Sequence, residues 1–187
     1  ALAHGLAYVP EDRQGQGLVL PLSIANNICL PQTASLSKAG FVAMKREAAL
    51  AREYGAKMEI RAAGWDVEAL TLSGGNQQKV VLAKWLATQP RILILDEPTK
   101  GIDVGTKAAV HEFMSSMAAE GMAIIMISSE LPEILGMSDR VAVMHEGELV
   151  AMMDRAEASE EKILRAATGA DYGALAGDAA GATGEAR

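Results

Sequence analysis

The sequence predicts an α/β protein with a parallel sheet core, flanking helices, and a helical subdomain inserted after the first strand. Three observations carry this. Ile92–Leu95 and Met122–Ile127 are short, continuous apolar runs, the pattern of strands covered on both faces. A helix-length segment opened by Asp103 and closed by Gly121 separates them, the strand–helix–strand order of a parallel crossover. An earlier apolar run, Leu6–Val9, is stopped by Pro10 and leads into a long stretch of helical periodicity.

Taken in order, Leu6–Val9 reads as a strand, and residues 11–21, with Gly15, Gly17 and Pro21 among charged groups, as an irregular surface connection. From Ser23 to about Leu70 the pattern is helical, with Ser23 as a cap and Lys45–Met58 showing apolar residues at helical spacing. Ser73 opens the next helix, whose apolar stripe of Val80, Val81, Leu82, Trp85 and Leu86 runs to Pro90. Ile92–Leu95 then forms a buried strand, Asp103 caps a helix over roughly Lys107–Ala119, and Met122–Ile127 forms a second buried strand. Glu130–Leu135 is a short helix. Val141–Met144 and Leu149–Met152, turning at Glu146-Gly147, form a hairpin. Ser159–Ala167 is a last amphipathic helix with Glu160 and Glu161 in its first turn. Eleven of the eighteen residues from Ala170 to Arg187 are Ala or Gly, so that tail, 170–187, is expected to be disordered. The helical subdomain thus covers about 23–88, and the α/β core about 5–12 and 90–169.

At 187 residues the chain is long enough for one domain with a real core, or for one compact domain plus appendages. Half of it is hydrophobic but only 4% aromatic, so the core is aliphatic. A net charge of −7 argues against a nucleic-acid partner, which calls for a basic stripe. The single cysteine, Cys29, lies between Ile28 and Leu30 and reads as a small buried hydrophobe. No apolar run is long enough to span a bilayer.

Two motifs carry chemistry. Ser73-Gly74-Gly75 opens a helix: glycines let backbone approach a ligand, the first-turn amides point partial positive charge outward, and Ser73 adds a hydroxyl. The bland alternative, an ordinary capped helix, is outweighed by the pair of carboxylates downstream. There, the strand Ile92–Leu95 delivers Asp96 and Glu97 to its carboxyl end, where ligands bind in open α/β sheets. Asp96 suits a magnesium ion, a hard cation that prefers carboxylates and water. Glu97 suits a general base polarising an attacking water. No Gly-x-x-x-x-Gly-Lys-Ser/Thr loop occurs in the sequence.

Leu72–Gln78, Leu95–Thr99 and Gly101-Ile102-Asp103 resemble the signature, Walker B and D-loop of ATP-binding-cassette (ABC) ATPases, a P-loop NTPase-like fold. More narrowly, Tyr8-Val9-Pro10-Glu11-Asp12-Arg13, Asn76–Val80, and Ser128-Ser129-Glu130 through Met144-His145-Glu146-Gly147 are similar to the second cassette of bacterial simple-sugar importers. The resemblance covers about residues 5–169. It implies a C-terminal cassette fragment, incomplete at its N-terminus, because the strand and phosphate-binding loop that precede Leu6 in the family have only five residues to occupy.

In that family two cassettes pair head to tail, and each ATP lies between one P-loop and the other cassette's signature loop. The resemblance therefore implies that Ser73, Gly74, Gly75 and Gln77, with Asp103 of the D-loop, contact ATP held by a partner cassette. Asp96 and Glu97 would serve this cassette's own nucleotide. Glu11 stands where the family carries a magnesium-sensing Gln, and Ser129 where it carries the switch His; serine cannot titrate near neutrality as imidazole does. Both departures point to reduced catalytic competence. ATP and Mg²⁺ are the implied cofactors. The implied partners are a second cassette (in the same polypeptide or as a homodimer), an integral-membrane sugar permease, and indirectly a periplasmic sugar-binding protein, with the chain peripheral on the cytoplasmic face of the inner membrane. His111 and His145 read as ordinary surface or packing residues. Two other readings stay open: a non-catalytic module that completes or regulates a partner's ATP site, and a soluble ABC ATPase acting on nucleic acid.

Overall fold

The computed structural model describes residues 1–38 and 41–169; the Ala/Gly-rich segment 170–187 lies outside the described residues. Two compact units divide the chain, Ala1–Ile127 and the part from Ser128 onward.

In the first unit, β1 (Leu6–Val9) is followed by α1 (Ile24–Cys29), α2 (Thr33–Leu36), the two-residue strands β2 (Ser37–Lys38) and β3 (Phe41–Val42), and α3 (Met44–Lys57). Then come α4 (Gly74–Leu86), β4 (Ile92–Asp96), α5 (Val104–Ala119) and β5 (Ala123–Ile127). The sheet order is β1-β4-β5, all parallel, with Tyr8 beside Ile94 and Ile94 beside Ile125.

Alternation along the strands gives the sheet two unlike faces. Ala7, Val9, Leu93 and Leu95 form one face and are buried. On the opposite face Tyr8, Ile125 and Ile127 are exposed, the two isoleucines at 52% and 48%. This corrects the expectation that β4 and β5 are shielded on both sides. β5 is an edge strand of the order β1-β4-β5. Unbroken apolar sequence reports that a strand suits a dry environment, while the cover itself comes from other segments.

Side-chain caps start the helices where the sequence placed them. Ser23 accepts from the Asn26 amide (3.1 Å) and Asp103 from the Thr106 amide (3.0 Å), each satisfying an otherwise orphaned N–H. The stretch expected to be wholly helical also contains the antiparallel pair β2–β3, too short to leave a period of its own in the sequence. Its small core packs Ala25, Cys29, Leu36 and Ala51 with Leu50 and Trp65. Gly55 on α3 admits the Trp65 ring: a Cβ there would lie 2.3 Å from it. Cys29 is buried, as expected. Desolvation lifts its thiol to about 11, and its S–H donates to the Glu47 carbonyl (3.5 Å).

Residues 11–21 are more ordered than an irregular connection. Asp12 accepts from the amides of Gln14 (3.1 Å) and Gly15 (2.9 Å) and caps a wide helical turn over Arg13–Gly17. Asn27, fully buried, then holds the next residues. Its Oδ1 accepts from the Val19 amide (2.8 Å), and its Nδ2 donates to the carbonyls of Val19, Leu22 and Ser23. α4 closes on the far end of the turn, where the buried Lys84 ammonium donates to the Gly17 carbonyl (2.9 Å) and desolvation lowers the lysine's pKa.

In the second unit, α6 (Leu131–Met137) precedes the antiparallel hairpin β6 (Arg140–His145) and β7 (Glu148–Asp154), followed by α7 (Glu160–Ala167). Glu146 and Gly147 both have positive φ (49° and 86°), the backbone a two-residue hairpin turn requires. Val141, Val143, Ile163 and Ala166 form the core, with Leu131, Ile134 and Leu135 against it. His145 packs against the end of α7: its Nδ1 lies 2.7 Å from the Ala167 carbonyl oxygen.

Candidate functional site

The sequence-predicted residues of the first unit gather on three loops. The loop after β1 carries Glu11–Gly17, the turn into α4 carries Ser73–Gly75, and the segment after β4 carries Asp96–Asp103. The first and third follow the carboxyl ends of neighbouring parallel strands, the edge at which open α/β sheets bind ligands.

At the end of β4, Asp96 is half-buried, and its Oδ2 accepts from the Tyr8 hydroxyl across the strand pair (2.8 Å). That hydrogen bond raises the tyrosine's pKa above 10.0, with lesser contributions from burial and the nearby carboxylates. Glu97 has φ +48°, left-handed backbone that a non-glycine residue occupies at a cost, of a kind concentrated at functional sites. Its amide donates to the Ile127 carbonyl (2.8 Å), and its carbonyl accepts from the Lys100 amide (3.1 Å), so a tight turn fixes the strain. Thr99 behind it is buried.

Glu11, expected at a metal, accepts from Lys100 Nζ at 2.5 Å. Among the described residues no three Asp, Glu, His or Cys side chains come together as a metal cage. The Asp96 carboxylate is a donor of the kind that a hard cation takes.

The turn into α4 is closely packed. Ser73 is exposed and caps the helix, accepting from the Asn76 amide (3.4 Å) and from Asn76 Nδ2 (3.1 Å). A Cβ on Gly74 would stand 2.9 Å from Arg13 Nη2, and one on Gly75 would stand 2.7 Å from Thr106 Oγ1. That Thr106 hydroxyl donates to Asp103 Oδ2 (2.7 Å). Bonds from the Thr106 hydroxyl, and then its amide, hold the Asp103 carboxyl below the usual range.

Gln77, expected as a nucleotide contact, has its side chain turned inward. It is 2% exposed, accepts from Gln14 Nε2 (2.9 Å) and donates to the Ala69 carbonyl (3.3 Å). Its side-chain amide is engaged inside the chain because this side of the first turn of α4 faces the Glu11–Gly17 loop. Ser129 belongs to the second unit and is exposed; beside it, Ser128 Oγ donates to the buried Glu133 (2.6 Å) and accepts from the Glu130 amide (3.0 Å). Sequence reading missed Arg13, Gln14 and Thr106, the three side chains that tie these loops together. Arg13 and Gln14 read as polar residues of a Gly-containing loop, and Thr106 as one more residue of the helix opened by Asp103.

The fold is that of an ATP-binding cassette. The structure of the dimeric, post-hydrolysis ATP-binding cassette MJ0796 bound to ADP and Pi matches with a TM-score of 0.66 at 20% identity, over 80% of this chain and 62% of that one. An inward-facing putative metal-chelate type ABC transporter matches with a TM-score of 0.74 at 14% identity, over 88% of this chain and 63% of that one.

The ABC transporter family pattern matches residues 2–100, and the chain belongs to that family. Ribose import ATP-binding protein RbsA of Jannaschia sp. (strain CCS1) is 59% identical over 169 residues, 90% of this chain and 33% of that protein. Ribose import ATP-binding protein RbsA 1 of Rhizobium meliloti (strain 1021) is 55% identical over 90% of this chain and 34% of that protein. The chain thus spans about a third of the length of the curated relatives it matches. Among the described residues no helix is long and apolar enough to cross a membrane.

Proposed function

We propose that this chain is the signature- and carboxylate-bearing part of an ATP-hydrolysing subunit that powers import of a simple sugar through a membrane permease. The observation that carries the reading is the strained Glu97 turn at the carboxyl end of the central strand. The ribose-import names of relatives at 55% identity and above support the sugar class. In this reading the chain sits peripherally on the cytoplasmic face of the inner membrane, paired with a second cassette.

The chemistry is divided between two nucleotides. Ser73, with the amides at Gly74 and Gly75, faces an ATP held by the partner cassette, and Asp103 flanks it from the D-loop. Gln77 supports this loop from inside. Asp96 would hold Mg²⁺, which when bound neutralises phosphate charge. Tyr8 fixes which carboxylate oxygen of Asp96 turns away from the strand pair, and Glu97 polarises the attacking water. The open apolar sheet face supports a further segment of the longer polypeptide as its cover, the strand, loop and helix that carry the phosphate-binding amides and lysine. The division into one partial cassette, with 23–88 helical and 5–12 with 90–169 as its α/β core, belongs to the same reading.

A second reading, a module that completes or regulates a partner's ATP site without hydrolysing its own, is favoured by the Glu11–Lys100 pair and by Ser129 at the switch position. Steady-state ATPase of the complete ATP-binding polypeptide separates the two. With Glu97→Gln, hydrolysis assigned to this cassette should vanish; unchanged hydrolysis selects the module.

A further inference from the structure

We propose that Arg13 is a positioning residue that locks the signature loop and the D-loop turn into one rigid register. Its guanidinium joins three loops. Nη1 donates to the Lys100 carbonyl (3.0 Å) and Nη2 to the Gly101 carbonyl (3.3 Å), and the same Nη2 lies 2.9 Å from where a Cβ of residue 74 would stand. Gly101 has φ +67°, the left-handed conformation that carries the chain around this turn, and its Cβ position faces both Nη atoms at 3.7 and 3.8 Å. A planar fork with fixed donors spans two successive carbonyls in a way an ammonium cannot.

The arrangement is more than a surface contact. Nε of Arg13 is buried with no hydrogen-bond partner among the described residues, so the guanidinium is packed between these loops rather than waving in solvent. Parallel ties run between the same loops: Glu11 to Lys100 (2.5 Å) and Gln14 to Gln77 (2.9 Å). Asp12 holds the turn that aims Arg13, and Lys84 anchors that turn's far end to α4. The loop after β1 is therefore a brace between Gly74 and Gly101. On the proposed division of chemistry, on which this inference rests, the brace sets where the signature loop stands relative to the turn that follows this chain's own carboxylates.

The test begins without nucleotide. Hydrogen–deuterium exchange of the full chain compares wild type with Arg13→Lys and Arg13→Ala. Exchange at 74–77 and at 100–103 should rise together, by about ten-fold in Arg13→Ala and less in Arg13→Lys, while 24–29 and 44–57 stay unchanged. A rise at one segment only, at neither, or uniformly along the chain overturns the proposal. Arg13→Lys, which keeps charge and most of the stem, carries the comparison if Arg13→Ala does not fold.

A second arm uses ATPase of the complete polypeptide. Arg13→Lys should lower kcat about ten-fold with KM for ATP within about three-fold, the split expected when an interaction made only on the way to the transition state is lost. Ser73→Ala separates the positioning role from the nucleotide-facing one. If it leaves kcat intact, the nucleotide-facing reading of the signature loop fails while the exchange result stands. If it lowers kcat and Arg13→Lys does not, the positioning role fails.

Discussion

The turn at Ser73–Gly75 and the turn at Asp96–Glu97 both look like nucleotide loops in sequence, yet they are built on opposite principles. The first is relaxed and crowded. Arg13 Nη2 and Thr106 Oγ1 stand 2.9 and 2.7 Å from where Cβ atoms of residues 74 and 75 would lie, and its buried Gln77 is bonded inward. The second is strained and open: Glu97 is held at positive φ by backbone hydrogen bonds, and Asp96 is fixed by a single cross-strand hydroxyl. A glycine motif can thus report close packing between neighbours, whereas an acidic residue in left-handed backbone at a sheet's carboxyl edge reports something the fold alone does not require.

The largest effect should come from chemistry at the strained turn. In the complete polypeptide, Glu97→Gln should cut ATP turnover by about a hundred-fold or more, the scale of a lost general base. Turnover within a few-fold of wild type would place the strain outside catalysis. Next is the crowded turn. Gly75→Ala drives a methyl into Thr106 Oγ1 and should cost about 1–3 kcal/mol in denaturant unfolding, as overpacking does. Thr106→Ala in the same chain should return part of that loss, and no recovery would mean the glycine is needed for something other than room.

A smaller effect separates strain from structure. Glu97→Gly removes the left-handed penalty and should stabilise the chain by about 1 kcal/mol while abolishing its proposed chemistry. Destabilisation instead would show that the glutamate side chain holds the turn. The smallest concerns Tyr8. Its folded pKa lies above 10.0, so its bond to Asp96 contributes fully below that pH and is lost as pH climbs through the raised value. Ultraviolet tyrosinate titration of wild type against Tyr8→Phe should show the missing component titrating last. A component at or below pH 10.0 would break the assignment.

Much of the scaffold was legible because it is written in local chemistry. Ser23, Ser73, Asp103 and Ser159 cap the helices that their positions predict, and Glu146-Gly147 turns the hairpin. The three strands of the parallel sheet fall within a residue of their apolar runs. What sequence could not show is which surfaces meet. The exposure of Ile125 and Ile127 depends on what lies over the sheet, and no apolar run records that. Arg13 looks like any loop arginine until Gly74 and Gly101 are brought against it from remote parts of the chain. Gln77 sits in a motif that suggested outward contact, and only the packing of α4 on the Glu11–Gly17 loop turns it in.

Everything proposed for the site depends on Ser73–Gly75 and Asp96–Glu97 serving two different nucleotides, each completed by groups beyond this chain. Isothermal titration of Mg-ATP into the 187-residue chain tests that division without any substitution. Without phosphate-cradling amides and a P-loop lysine the chain should show no binding in the micromolar range. A one-to-one isotherm of about micromolar affinity would mean that these two turns form a single ATP site, and would contradict the division.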